Sequence, residues 1–234
     1  MTTTPEEPPT DEQVEEQLTA LEAAAAAAIT AALAGALTQL PPVPLALPGT
    51  WGRDTALAAD HLTHEATREL TDQTTTLLTQ AATLAHTAAA GTPPTDPTTI
   101  RRLIATTLDD VHADIVQALT DTAAALGTTL PINPTPPSQQ LARLARTLTR
   151  TITTWLYGTY NQVFDHTARA LGRTTEWGSE EDTSVCPVCN DLDGTTPTGP
   201  DGTYQSFTNW TGFTGLPPAH PWCRCKLRIR RSDR

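Results

Sequence analysis

Four long runs in which apolar residues return every three or four positions, each stopped by proline or glycine, commit most of this chain to long helices. The first covers about residues 11–40 and repeats through Val14, Leu18, Leu21, Ala25, Ile29, Ala32 and Ala36. Pro41 and Pro42 stop it, and a Pro-rich connector runs on to Gly52. The second, about residues 54–90, carries Leu62, Ala66, Leu70, Leu77, Ala81, Leu84 and Ala88 before Gly91, Pro93 and Pro94 end it. The third starts near Thr98, with Ile100, Ile104, Val111, Ile115, Leu119 and Leu126, and closes at Gly127. A second Pro-rich connector, residues 131–137, precedes the fourth, about residues 138–171. Its stripe is Leu141, Leu144, Leu148, Ile152, Trp155 and Val163, and Gly172 stands where a C-terminal cap belongs.

These stripes are narrow and rich in alanine. Only 38% of the residues are hydrophobic, so small side chains must pack closely in place of a thick core. The fold class expected is mainly α: long Ala-rich helices in an extended bundle, then a small zinc-stabilised β/loop module. The expected divisions are a disordered start at 1–10, a helical region at 11–172 and the module at 173–234, where glycines, prolines and aromatics replace the helical period.

Charge is uneven. The net charge is -11, which argues against a surface that binds phosphate everywhere. Residues 1–52 hold Glu6, Glu7, Asp11, Glu12, Glu15, Glu16 and Glu22 without one Lys or Arg, whereas the far end holds Arg224, Lys226, Arg228, Arg230, Arg231 and Arg234. The acidic start does not read as a secretory signal. The Ala-rich run at 21–37 is the sole membrane candidate, and Glu22 with weakly hydrophobic alanine makes it a poor span. An intracellular, soluble protein with no membrane partner is expected.

All four cysteines lie between Cys186 and Cys225, a clustering that reads as metal binding before disulfide formation in a reducing compartment. In Cys186-Pro187-Val188-Cys189 the two-residue spacing lets both thiolates converge on one ion. His220, Cys223 and Cys225, in a stretch stiffened by Pro217, Pro218 and Pro221, bring the donors to five for four tetrahedral positions. From Cys223 onward, Cys223, Cys225, Leu227 and Ile229 alternate with Arg224, Lys226, Arg228 and Arg230, as on the two sides of a strand. Sulfurs two apart on a strand stand roughly 7 Å apart. That favours His220 with one of Cys223 and Cys225; a bend at Cys223 would permit four cysteines and free His220.

The same residues carry a resemblance. Trp177, Asp182, Val185 with the Cys186–Cys189 motif, Leu192-Asp193-Gly194, and the run from Pro217 through His220, Cys223 and Cys225 to Leu227 resemble the C-terminal domain of the Mu F-like head-morphogenesis (minor capsid) family of tailed phages. The lead-in Ala168-Arg169-Ala170-Leu171-Gly172 is similar too, and the likeness covers about a third of the chain. It implies a structural virion protein inside the procapsid or near the portal, present in host cytoplasm during assembly. Its implied partners are the portal or major capsid protein, packaged DNA and further copies of itself. The long N-terminal helices carry no such resemblance, so the likeness implies nothing of their role.

No catalytic pattern stands out, and an enzyme is not expected. His61, His64 and Glu65 lack metalloprotease spacing. Asp109, Asp110, His112 and Asp114 read as exposed helix charge. Asp191 and Asp193 could serve as a base for a metal-bound water only at an open site, and Asp193-Gly194 reads more simply as a turn. The basic face of Arg224, Lys226, Arg228 and Arg230 reads either as a contact for DNA or an acidic protein, or as a solvated strand edge. A zinc-ribbon DNA-binding protein would need a basic recognition helix, and the helices here are neutral or acidic. A zinc hydrolase or toxin is the remaining rival.

Overall fold

Thr10 and Gln13 start the first helix by a reciprocal cap. The Thr10 N–H donates to Gln13 Oε1 at 2.8 Å, and the Gln13 N–H donates to Thr10 Oγ1 at 3.2 Å. Two of the amides that a helix start leaves without partners are thereby satisfied. In the computed structural model, residues 8–38, 51–128, 137–179, 185–198, 203–204 and 215–230 are described. Expectations for residues 1–7, 39–50 and 131–136, and for Asp182, Trp210, Arg231 and Arg234, lie outside them, as do those for the side chains of Ala36, His61, Leu62 and Leu126.

The helices are α1 (Asp11–Thr38), α2 (Trp51–Ala90), α3 (Pro97–Thr128) and α4 (Pro137–Ala170). Helix α2 begins a few residues before the expected position. Asp96 caps α3, its Oδ1 taking the Thr98 N–H at 2.9 Å, with Pro97 in the first helical turn. Helix α4 ends as expected at Gly172, whose φ of 68° puts it in the left-handed region. The bonds Gly172 N–H to Arg169 O and Arg173 N–H to Ala168 O, both 2.9 Å, form the Schellman pattern. Beyond α4 come β1 (Thr175–Gly178), α5 (Pro187–Leu192) and β2 (Lys226–Ile229). The strands pair antiparallel, with Trp177 opposite Leu227 and Gly178 opposite Lys226.

Two compact units share the chain. One joins Ala23–Thr76 to Asp109–Ile152. Its helix segments bury Ala25, Ile29, Leu70, Ile115, Leu119 and Leu148, and Thr75 Oγ1 meets His112 Nε2 at 3.2 Å. The apolar stripes read from the sequence make this core.

The other joins Met1–Glu22, Leu77–Leu108 and Thr153–Arg234, so residues 173–234 share a unit with helix segments. The α4 stripe is wider than expected: Leu141, Leu144, Leu148, Ile152 and Val163 are buried as read from the sequence, and more residues join them. Leu156, Tyr157, Tyr160, Phe164 and Ala168 are all buried, while Trp155 is only half-buried. The C-terminal segment covers a second side of α4, and so Thr159, Asn161 and Asp165 are buried as well. Among the described residues one helical stretch, Asp11–Gly35, is long and apolar enough to cross a membrane by length and composition.

Candidate metal centre

Cys186 performs two local tasks. It is the N-cap of α5, its sulfur accepting the Cys189 N–H at 3.3 Å. Pro187 fits the first helical position because its missing N–H would have no helical partner there. The expected turn is therefore a single short helical turn with both thiols on one side. Leu192 and Cys189 are buried beneath it. The chain then leaves through Asp193, whose Oδ1 accepts the Ser179 N–H at 2.8 Å, and through Gly194 at φ 71°. This is the turn role expected of the Asp-Gly pair. Gly194 N–H and Thr195 O bond Trp177 O and N–H, each at 2.8 Å, which moors the segment alongside β1.

The second set of donors comes from a turn. Cys223 N–H donates to His220 O at 3.0 Å, with Pro221 second and Trp222 third at φ 70°. Proline followed by a positive φ is the pattern of a type II turn. Residues 223–225 precede β2 rather than belonging to it, so the wide spacing of strand side chains does not apply. Both Cys223 and Cys225 reach Cys189.

His220 Nδ1 lies 2.9 Å from Pro221 O. A carbonyl only accepts, so Nδ1 is the donor in this contact and Nε2 is the nitrogen turned toward the sulfurs. That Nε2 stands 3.0 Å from Cys186 Sγ and 3.4 Å from Cys189 Sγ, and Cys189 Sγ stands 3.5 Å from Cys223 Sγ. Cys186, Cys189 and His220 form one group with donor atoms within 4.8 Å of each other; Cys189, Cys223 and Cys225 form a second. Cys189 belongs to both.

Donors at about 2.0–2.3 Å around one tetrahedral ion stand roughly 3.3–3.8 Å from each other, close to these separations. Soft sulfur with one imidazole suits a thiophilic ion, and the cluster can hold a metal. Without an ion the thiols compete for protons. Hydrogen bonds from Cys189 and Cys225 hold Cys223 down to about 3, and the same Cys223 contact pushes Cys189 up. Burial raises Cys186, yet the Cys189 amide and thiol and His220 bring it below its usual value. Burial pulls His220 down, and the Pro221 carbonyl with the Cys223 and Cys186 sulfurs more than reverses this.

Asn161 escaped the sequence reading. Fully buried on α4, it donates Nδ2 to Cys225 O at 2.9 Å and to Tyr157 O at 2.8 Å, and accepts the Leu227 N–H at 2.6 Å. It pins the backbone on both sides of Lys226 to the helix. Its only sequence signal is an amide set among large apolar residues of α4.

The basic residues alternate with Leu227 and Ile229 as expected, and three of them meet carboxylates of this chain. Arg224 meets Glu22 at 2.8 Å, Lys226 meets Glu15 at 2.7 Å, and Arg228 meets Glu176 at 2.9 Å and Asp193 at 3.7 Å. Carboxylates of α1 and β1 neutralise these cations, and Arg230 remains exposed. Glu15 and Glu22 lie some two hundred positions away, beyond the reach of any local pattern. His64, Asp109, Asp110 and Asp114 are exposed. Comparisons of the chain with family models, curated proteins and solved structures find no match.

Proposed function

We propose that the five-donor cluster binds one zinc ion as a structural staple, and that the protein serves as a minor head protein of a tailed phage. The observation that carries the zinc reading is convergence: Cys186, Cys189, His220, Cys223 and Cys225 come from two segments about thirty residues apart and meet at Cys189. The oriented His220 imidazole and the amide bond to the Cys186 sulfur are the partners that structural zinc ligands use. Apolar content near the cluster is modest, and an ion supplies folding energy directly in such a segment.

The role in head assembly rests on the motif resemblance. Helices α1, α2 and α3 are acidic, although α4 departs from the expectation of neutral or acidic helices with Arg143, Arg146, Arg150 and Arg169 against Asp165. Together with basic C-terminal residues already engaged by carboxylates, the acidic helices favour protein contacts such as portal or coat over a phosphate backbone. The reading is structural rather than catalytic, and the Ser179 amide and Arg228 that engage Asp193 support its role in the turn. Nor does a membrane partner, since Glu15 and Glu22 of α1 engage cations. Mass spectrometry of purified particles tests the assembly role. The chain is expected in procapsids or virions; its presence in infected cells but absence from every particle form would overturn it.

A further inference from the structure

Two ion pairs tie α1 to the segment that bears the last metal donors. Glu15 takes Lys226 and Glu22 takes Arg224, at 2.7 and 2.8 Å. Glu15 and Glu22 are two helical turns apart on one face of α1, next to the buried Val14 and Leu18. The two cations are anchored differently. Lys226 lies in β2 opposite Gly178, and Asn161 holds the backbone on each side of it, so its place is set without an ion. Arg224 lies outside β2, between the two buried thiols Cys223 and Cys225 and just after the turn at Trp222. Its partner Glu22 is also the better shielded carboxylate, 16% exposed against 52% for Glu15.

We propose that an ion at the cluster fixes Arg224 opposite Glu22, so that the metal centre governs whether the N-terminal half of α1 stays clasped to the C-terminal segment. This rests on the zinc reading above. Coupling of this kind is reciprocal: if the ion favours the clasp, the clasp favours the ion by the same factor. The clasp can therefore be probed without altering a metal ligand.

The test measures zinc affinity of the full chain by competition with a chelator, for the wild type, Glu22→Gln, Glu15→Gln, and a Glu12→Gln/Glu16→Gln control. The control removes exposed carboxylates of the same helix. Glu22→Gln is expected to bind zinc roughly two- to fivefold more weakly, Glu15→Gln less than about 1.5-fold, and the control as the wild type does. In parallel, deuterium exchange at amides 15–22 should rise when zinc is removed and recover when it is restored. Zinc held equally well by the wild type and Glu22→Gln, with α1 exchange indifferent to the ion, would overturn the clasp while leaving the zinc staple standing. A wild-type chain that takes up no zinc would overturn both.

Discussion

Asn161 and Trp222 show how single residues place the cluster. Asn161 satisfies a buried carbonyl and a buried amide on either side of Lys226, so Asn161→Ala strands both. A cost of about 2–6 kcal/mol is expected, since each buried group without a partner costs about 1–3 kcal/mol. Chemical denaturation of the zinc-loaded chain measures it, and a change below about 0.5 kcal/mol would remove Asn161 from the account. Trp222 occupies a left-handed position that glycine prefers, and the residue is 49% exposed. Comparing Trp222→Gly with Trp222→Ala isolates the backbone, because both lose the indole. The glycine variant should be the more stable by about 1 kcal/mol. Equal stabilities would mean that the turn does not hold this geometry.

At the scale of elements, helix ends and stripes were largely legible. Gly172 caps α4 as its position foretold, and an added Cβ there would meet no atom within 4 Å. Gly172→Ala therefore carries only the conformational cost, about 1 kcal/mol. Gly215→Ala should cost more, since its φ is 87° and the new Cβ would lie 2.7 Å from Thr203 Cβ. Thermal unfolding of the two variants gives the order, and a reversed order would contradict it. The Thr10–Gln13 cap went unread in the sequence, although its partners are only three residues apart. Leu156, Tyr157 and Tyr160 were missed because a helical stripe assumes one covered side, whereas Asn161 ties residues 225–227 to a further side of α4. The metal donors were legible because Cys186–Cys189 and His220–Cys225 are local patterns in stiff, Pro-rich segments. The bend that brings both Cys223 and Cys225 to Cys189 depends on a left-handed tryptophan, which no propensity would suggest.

For the molecule as a whole, the C-terminal segment is held by a two-stranded sheet, Asn161, ion pairs and the cluster. A two-stranded sheet is marginal alone, and under the proposed zinc reading the ion adds the hold on residues 186–189 and 220–225, which lie outside the strands. The unit made of Ala23–Thr76 and Asp109–Ile152 contains none of these donors, and its helices should persist when the ion is removed. Native mass spectrometry of the full chain tests the central claim most directly. One zinc per chain is expected in the wild type and none in Cys189→Ser, because Cys189 belongs to both donor groups. A folded wild-type chain free of metal, or full zinc retention by Cys189→Ser, would contradict the account.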